Sequence, residues 1–297
     1  MTFAELSRYL ESELRAIGIV DSEARAESEL IIASLSQMSR AQRIKDSELL
    51  AGSELLHKCQ EIIARRQKRE PLQYCLAEAH FYGLRFLLRR NVLIPRADTE
   101  TLVTAALNYF QPLAKNRAAA DPLFVAEIGC GSGIISIAML KQIEKMNISA
   151  CDISAEAVEQ TRENAQLHEL CSRLQLACQD WRIWIKSFEH NLDGLLANPP
   201  YIPRALSQSL APEVAGWEPE LALFGEGEDG LNFYRELGEL ASAAFAPDAR
   251  VFLEIGQGQA NLVADIFCAR DWRLSGLEKD LNGIDRVLCL IPPNSPF

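Results

Sequence analysis

The first part of the chain carries apolar residues at the spacing of amphipathic helices. They recur on one helical face at Phe3, Leu6, Leu10, Leu14 and Ile17. Gly18 is suited to end this helix as a C-cap, and Asp21 is suited to begin the next one as an N-cap. A further helix begins near Ser53 and cannot continue through Pro71. We therefore predict a small helical bundle over residues 1–70.

The hydrophobic pattern changes after this bundle. Aromatic residues on both sides of Gly83 predict a short β-hairpin within a linker, residues 71–90. In the remaining domain, residues 91–297, helical stretches alternate with apolar runs at residues 123–128, 148–151, 174–177, 194–197 and 251–255. This alternation is typical of a doubly wound α/β domain with a parallel sheet. A short link joins two last runs, 272–277 and 286–291, which predicts an antiparallel edge pair and a mostly parallel, seven-stranded sheet.

The charge of the chain narrows its possible partners. A formal net charge of −11 over 297 residues opposes binding to phosphate backbones, so a protein substrate is favoured over nucleic acid. The basic run Arg65-Arg66-Gln67-Lys68-Arg69 is either a docking patch or the solvated last turn of a helix, and we favour the second interpretation.

Cysteine and histidine usage points away from disulfides and metals. The eight cysteines form no C-x-x-C pair, and the four histidines show no zinc-type spacing. Buried free thiols in a reducing cytosol are the simplest explanation. The first residues lack the features of a signal peptide, and no stretch approaches the ~18 apolar residues of a membrane span. We expect a soluble, cytoplasmic monomer with no metal site and no membrane contact.

A glycine-rich loop follows the first strand of the predicted sheet. It reads Glu127-Ile128-Gly129-Cys130-Gly131-Ser132-Gly133 and leads into an apolar helix. Glycines here let the backbone turn tightly where a helix N-terminus offers free N–H groups. A dinucleotide fingerprint needs a third glycine at the position of Ile134, so NAD binding is disfavoured. The spacing suits the amino-acid end of S-adenosylmethionine, whose ammonium group Glu127 can neutralise.

Acidic residues after the next two strands fit the rest of that cofactor. Asp152 ends the second strand, where its carboxylate can accept from both ribose hydroxyls. Its alternative role is a helix N-cap, and the spacing from the glycine loop favours the ribose. Asp180 can accept from the exocyclic amine of adenine, and Trp181 can pack on its ring. Trp181 is equally compatible with a place in the core beside Trp184.

The motif Asn198-Pro199-Pro200-Tyr201 follows the fourth strand and carries the candidate chemistry. The Asn198 side-chain carbonyl and the Pro199 backbone carbonyl can each accept one N–H of a planar NH2 group, which presents its lone pair to a methyl donor. Pro199 and Pro200 hold these acceptors at low entropic cost, and Tyr201 offers an aromatic wall. Most of the rate would come from orientation, with electrostatic help from the two acceptors.

Together these residues resemble a known family, the bacterial HemK-type glutamine-N5 methyltransferases that modify peptide chain release factors. Besides the glycine loop, Asp152 and the motif at Asn198, the matching residues are Pro71-Leu72-Gln73-Tyr74, Phe81-Tyr82-Gly83, Val92-Leu93-Ile94-Pro95-Arg96, Thr99-Glu100, Glu218-Pro219, Asp229-Gly230-Leu231, Tyr234-Arg235 and Gly283-Ile284-Asp285-Arg286. The chain departs from the family's usual Asp at Glu127, from Ile-Leu-Gly at Cys75-Leu76-Ala77 and from Pro-Glu-Thr-Glu at Ala97-Asp98-Thr99-Glu100.

This resemblance implies a class I S-adenosylmethionine-dependent methyltransferase fold with a Rossmann-like sheet. It also implies methylation of the glutamine in the Gly-Gly-Gln loop of release factors, with the helical bundle helping to recognise the release factor. Residues 129–133, Asp152, Trp181 and Asn198 take the family's cofactor positions, and residues 198–201 take its glutamine positions.

Three other functions remain open at this point. A sister enzyme that methylates a glutamine of a ribosomal protein shares the same chemistry. An adenine-N6 DNA methyltransferase also acts on a planar amine, which it flips out of the helix, but the acidic charge and the lack of a basic target-reading domain oppose it. The third is a cofactor-binding interaction module without catalytic activity.

Overall fold

The chain is described from a computed structural model, and the description covers residues 1–118 and 120–293. It divides into two units. One comprises Met1–Glu78 together with the later segment Ala211–Trp217, and the other comprises Ala79–Leu210 and the chain from Glu218 onward. Residues 211–217 therefore fold with the amino-terminal unit, although 132 residues of the other unit separate them from it in the chain.

The amino-terminal unit is helical. Its helices are α1 (Phe3–Ala16), α2 (Asp21–Ser36), α3 (Arg40–Lys45), α4 (Ser53–Arg66) and α5 (Leu72–Leu76), and the later segment adds the short helix Pro212–Ala215, α10. The predicted face of α1 is confirmed, since Leu6, Leu10 and Leu14 are fully buried in the core of this unit. Gly18 follows the end of α1 with a left-handed φ of 87°.

Three details of this unit differ from the prediction. Asp21 is the first residue of α2 rather than its N-cap, which is Val20 and makes no side-chain capping bond. Helix α4 ends at Arg66, ahead of the break expected at Pro71. Helices α3 and α5 were not predicted, because six and five residues are too few to show a clear apolar period.

The basic run 65–69 has a structural role that neither interpretation anticipated. Arg65 forms an ion pair with Glu70 and donates to the backbone of Tyr74 and Cys75. Arg66 is 3% exposed and pairs with Glu27 at 2.8 Å, while Arg69 pairs with Glu213 of the inserted segment at 2.8 Å. The favoured interpretation, a solvated face, is therefore wrong for Arg66, because its charge is buried and compensated inside the unit.

The predicted hairpin is present. Strands β1 (Glu78–Phe81) and β2 (Leu84–Leu87) form a two-stranded sheet. The two residues between them, Tyr82 and Gly83, have φ values of 50° and 73°, as a tight two-residue hairpin turn requires. The Tyr82 N–H donates to the Glu100 carboxylate at 2.8 Å.

The second unit contains the seven-stranded sheet. Its strands are β3 (Leu123–Ile128), β4 (Met146–Asp152), β5 (Leu174–Cys178), β6 (Leu192–Ala197), β7 (Phe245–Glu254), β8 (Arg273–Lys279) and β9 (Asp285–Ile291). They lie in the order β5-β4-β3-β6-β7-β9-β8, parallel except for β9, which pairs antiparallel with both β7 and β8. The predicted parallel sheet with an antiparallel edge pair is confirmed.

Helices cover both faces of this sheet. The helices of this unit are α6 (Glu100–Asn116), α7 (Ile134–Gln142), α8 (Ala155–Leu167), α9 (Trp181–Trp184), α11 (Glu220–Leu223), α12 (Asn232–Leu240) and α13 (Ala260–Cys268). Successive strand residues alternate between two cores, so Leu196 packs with α6 and α7, while Leu195 packs with α12 and α13. Gly194 allows α6 a close approach, because a Cβ there would lie 2.3 Å from the ring of Phe110.

The expectation of buried thiols holds for five cysteines, but Cys171, Cys178 and Cys268 are exposed, and all eight are free. Across residues 1–118 and 120–293, none of the helices is long and apolar enough to cross a membrane.

Candidate active site

A cavity of about 210 Å³ opens at the carboxyl ends of β3, β4 and β6. The chain goes from β3 to β4 on one side and later returns to β6 on the other, and such switch points are where open α/β sheets bind ligands. Of the predicted site residues, those lining the cavity are Gly129, Gly131, Asp152, Asp180, Trp181, Asn198, Pro199 and Pro200. A second space of about 30 Å³ shares two of the glycines and Asn198, and adds Glu127, Cys130 and Ser132. Gly133 and Tyr201 line neither space.

The glycine loop turns sharply between β3 and α7. Gly129, Gly131 and Gly133 have φ values of 74°, 54° and 83°, which residues other than glycine rarely adopt. Gly129 and Cys130 both donate their N–H groups to the Cys151 carbonyl, which ties the loop to β4. At Gly133 a Cβ would lie 2.9 Å from Thr161, so this glycine serves the packing of the loop on α8.

Glu127 is fully buried near the end of β3. Its Oε2 accepts hydrogen bonds from the backbone N–H and the hydroxyl of Ser136, in the first turn of α7. Its Oε1 is buried without a hydrogen-bond partner. Burial raises the pKa of this carboxyl to about 8, with Ser136 acting in the opposite direction and Asp152 adding to the rise.

Asp152 lies at the end of β4 and reaches back to the glycine loop. Its Oδ2 accepts from the Gly131 N–H at 3.0 Å, and its Oδ1 accepts from the Ser154 N–H at 2.9 Å. Burial raises its pKa. The alternative role as N-cap of the next helix belongs to Ser154, whose side chain accepts from the Ala157 N–H.

Asp180 and Trp181 lie at the far side of the cavity, after β5. Asp180 caps the short helix α9 by accepting from the Arg182 N–H at 2.8 Å. The Trp181 ring packs against Phe233, with ring centroids 5.1 Å apart, and also lines the cavity. Trp184 is 6% exposed and belongs to the core. Trp181 thus packs against a buried residue and also borders the cavity, and its contact with adenine stays a prediction.

Asn198 is the first residue after β6 and lies between both spaces. Its Nδ2 donates to the Thr99 hydroxyl at 3.0 Å. Its Oδ1 has no hydrogen-bond partner among the residues that the structure describes. Because an amide oxygen accepts hydrogen bonds, this end of Asn198 is available to an N–H group of a ligand.

Tyr201, predicted as an aromatic wall of the site, is half-buried and lines neither the cavity nor the second space. Its hydroxyl donates to Glu254 Oε1 at 3.3 Å, and its backbone carbonyl accepts from Gln259 at 2.9 Å. Burial raises the pKa of the Tyr201 hydroxyl, so it remains a donor at neutral pH. Glu254, at the end of β7, is 1% exposed, and burial raises its pKa to about 7.

Three residues of this region were not predicted individually as site residues: Thr99, Ser136 and Glu254. Thr99 appeared only within a family motif, and Ser136 within an apolar helix. Glu254, by contrast, could have been identified from the sequence, because it directly follows the apolar run Val251-Phe252-Leu253. Glu127 has a similar position, one residue before the end of its own strand. A buried strand that finishes in an acidic residue is a pattern that could have identified Glu254.

Comparison with known proteins gives matches to two family models. A model described as Methyltransferase small domain matches residues 111–212, and one described as PrmC N-terminal domain matches residues 5–76.

Individual relatives match over most of the chain. A release factor glutamine methyltransferase of Geobacter sulfurreducens is 35% identical over 89% of this chain and 88% of that protein. Another, of Thermodesulfovibrio yellowstonii, is 37% identical over 80% of this chain and 82% of that protein. A bifunctional methyltransferase of Rickettsia conorii is 32% identical over 79% of this chain, but the match covers 48% of that protein, so the chain spans about half the length of this relative.

Proposed function

The chain belongs to the family of release factor glutamine methyltransferases, and we propose that it transfers a methyl group from S-adenosylmethionine to the side-chain amide nitrogen, N5, of the glutamine in the Gly-Gly-Gln motif of release factors. The proposal rests on the hydrogen bonding of the Asn198 side-chain amide. Its nitrogen is held by Thr99, and its oxygen is unpartnered beside a cavity that Asp152 and the glycine loop also line. One cavity therefore has places for a methyl donor and for a planar NH2 group.

The buried oxygen of Glu127 supports the assignment of the cofactor. An unpartnered carboxylate oxygen in the interior is costly, and an ammonium group at the 30 Å³ space would satisfy it. Residues 129–133 would then hold the amino-acid end, Asp152 the ribose, and Asp180 with Trp181 the adenine. When bound, S-adenosylmethionine supplies an electrophilic methyl group on a sulfonium.

The chain's own contribution to the reaction is orientation. Asn198 Oδ1 and the Pro199 carbonyl each accept one N–H of the glutamine amide, so the nitrogen lone pair faces the methyl donor. Pro199 and Pro200 restrict the backbone at this point and add no competing N–H donor. Pro199 is buried and Pro200 half-buried, so the acceptors are held in a preorganised arrangement. Methyl transfer would leave S-adenosylhomocysteine, and the amide proton would pass to water once the new N–C bond has made the nitrogen acidic.

The amino-terminal unit has a separate part in this proposal. Residues 1–70 recognise the release factor, and residues 91–297 perform the transfer, with the linker of residues 71–90 between them. The protein acts as a cytoplasmic monomer and contacts its substrate as a folded protein, without binding nucleic acid or membrane.

A methyl-transfer assay tests this function. Purified protein is incubated with radiolabelled S-adenosylmethionine and, in separate reactions, with release factor, ribosomal proteins and DNA. We expect label in the release factor, and its loss when the Gly-Gly-Gln glutamine is replaced with alanine. Label confined to a ribosomal protein or to DNA would reject the proposed substrate, and absence of label from all three would reject the proposed reaction.

A further inference from the structure

The amino-acid end of S-adenosylmethionine carries two opposite charges, an ammonium group and a carboxylate. In the proposed site Glu127 accounts for the ammonium group alone. A carboxylate that leaves bulk water is stable only where hydrogen-bond donors or a cation replace the lost water. The proposed site therefore needs a further group that binds the carboxylate.

The N–H groups of the glycine loop are mostly used within the protein. Four of the five N–H groups of residues 129–133 donate to protein acceptors over 2.7–3.1 Å, and they belong to Gly129, Cys130, Gly131 and Gly133. The N–H of Ser132 is the one without such a bond to a described residue. A carboxylate has about four lone-pair sites, so the backbone of the loop cannot satisfy it alone.

Arg96 has the charge that the loop lacks. It lines the 30 Å³ space together with Glu127, and it is the only Lys, Arg or His among the described residues that do so. Its Nη2 donates to Glu218 Oε1 at 2.5 Å, whereas its Nε and Nη1 have no hydrogen bond to any residue that the structure describes. The guanidinium group has five N–H donors in a rigid fork that matches a carboxylate. Arg96 can therefore bind a second carboxylate while it keeps the first.

Glu218 fixes the guanidinium group beside this space. Its side chain is 1% exposed, and both of its carboxylate oxygens have partners. Oε1 accepts from Arg96, and Oε2 accepts from the backbone N–H of Ile94 at 3.2 Å. Pro95, between these two partners, also lines the small space. Because Arg96 is anchored before a ligand arrives, less side-chain entropy is lost on binding.

We propose that Arg96 binds the carboxylate of the amino-acid end of S-adenosylmethionine while Glu127 binds its ammonium group. The inference rests on the proposed function, because it assigns a residue to that cofactor. Glu127 comes from β3 and Arg96 from the segment before α6, and the two side chains line one small space. Each charge of the amino-acid end then meets a side chain of the opposite charge. If Arg96 only anchored its segment to Glu218, its replacement would weaken the binding of all cofactor-like ligands equally.

Two ligands that differ in one carboxylate separate these roles. S-adenosylhomocysteine carries the carboxylate, and decarboxylated S-adenosylhomocysteine lacks it but keeps the ammonium group, the ribose and the adenine. Arg96→Gln removes the guanidinium group. Arg89→Gln is the matched control, because Arg89 is a half-exposed arginine that pairs with Glu163 and lines neither space. For each full-length variant, calorimetric titration gives the Kd of both ligands, and a thermal melt gives the stability.

We expect Arg96→Gln to weaken the binding of S-adenosylhomocysteine about 10- to 100-fold, the range for the loss of a hydrogen bond to a charged group. Its Kd for the decarboxylated ligand should stay near the wild-type value. The wild-type protein should itself prefer S-adenosylhomocysteine over the decarboxylated ligand by a similar factor. Arg89→Gln should bind both ligands as the wild type does.

Three results would overturn the role of Arg96: equal losses for both ligands in Arg96→Gln, unchanged Kd values for both, or a wild-type protein that binds the two ligands equally. If Arg96→Gln does not fold because Glu218 has lost its partner, Arg96→Gln is combined with Glu218→Gln. That double variant is then compared with Glu218→Gln on the same two ligands, and the same losses are expected. Wild-type protein that binds neither ligand would instead reject the proposed cofactor, and this inference with it.

Discussion

Two buried glutamates at the same edge of the sheet differ in what their carboxyl groups contact. Glu127 near the end of β3 and Glu254 at the end of β7 are 0% and 1% exposed, and burial raises their pKa values to about 8 and about 7. Each has one carboxylate oxygen bound to a hydroxyl and one without a partner. Glu127 borders the small space directly, whereas Glu254 borders neither space and accepts the Tyr201 hydroxyl at 3.3 Å.

The difference shows that a buried charge can serve a site by contact or by orientation. A carboxylate with a free oxygen at a cavity can bind a cation from a ligand, and its loss should be seen in affinity. A carboxylate that directs hydroxyl groups sets the hydrogen-bond direction of its neighbours, and its loss should be seen in turnover. Asn198 borders both spaces.

The largest expected effect therefore comes from removing Asn198 itself. In Asn198→Ala one of the two acceptors for the substrate amide is lost, and we expect kcat to fall by about 10²- to 10³-fold, as when one oriented group of an oxyanion hole is removed. S-adenosylhomocysteine should still bind with nearly the same Kd, because Glu127 and Asp152 are unchanged. Asn282→Ala, in the link between β8 and β9, is the matched control.

Methyl transfer at the wild-type rate by Asn198→Ala would contradict the assigned chemistry. Loss of cofactor binding together with turnover would show that Asn198 acts mainly on the cofactor, and would weaken the contrast between the two glutamates.

The second largest effect is expected for Glu127→Gln, and it should appear in cofactor affinity alone. Glu127→Gln removes the carboxylate that would face the bound ammonium group at the 30 Å³ space, and losing a hydrogen bond to a charged group costs about 1.5–3 kcal/mol, or about 10- to 100-fold in Kd. Calorimetric titration with S-adenosylhomocysteine measures this change. Glu254→Gln should bind as wild type does, and equal losses in both variants would remove the distinction between them.

Much of this fold could be predicted because its signals are local. The seven strands and the helices α1, α2 and α4 follow from apolar periods within single segments. The insertion of residues 211–217 into the amino-terminal unit could not be predicted, since it depends on packing such as the Arg69–Glu213 pair between residues far apart in the chain. Short helices such as α3 and α5 have too few residues for a periodic signal.

The candidate site also has a part that could be predicted from the sequence and a part that could not. The glycine loop, Asp152 and Asn198 stand at strand ends, where the topology of a parallel sheet brings side chains to one edge. Thr99 lies outside this pattern: it belongs to a turn before α6 and reaches Asn198 through a bond between residues 99 apart in the chain. Hydrogen-bond partners of this kind depend on the assembled fold, and the sequence contains no regular residue spacing that would identify them.

A third effect should appear in the pH dependence of turnover. The pKa of Glu254 is about 7, raised mainly by burial. Above this pH the carboxylate is ionised and accepts the hydroxyl of Tyr201, the last residue of the motif at Asn198; below it, a protonated Glu254 can itself donate and weaken this support of the motif. For a single group of this pKa, kcat should fall about 10-fold between pH 8 and pH 6. Initial rates at saturating cofactor and release factor measure the profile.

The Glu254→Gln variant tests the origin of that profile. Its kcat should already be low and should change little over this pH range, because glutamine does not titrate. A variant that kept the full wild-type dependence would assign the titration to another group.

The smallest effect is a proton released when the cofactor binds, and it sharpens the contrast between the two glutamates. With a pKa of about 8, Glu127 is about nine-tenths protonated at pH 7 in the free protein. An ammonium group at its free oxygen favours the ionised form and lowers that pKa, so binding should release close to one proton. Titrations in buffers of different ionisation enthalpy count this proton. Glu127→Gln should release none, whereas Glu254→Gln should release the wild-type number, because Glu254 borders neither space. Release that depended on Glu254 would instead assign the ammonium group to Glu254.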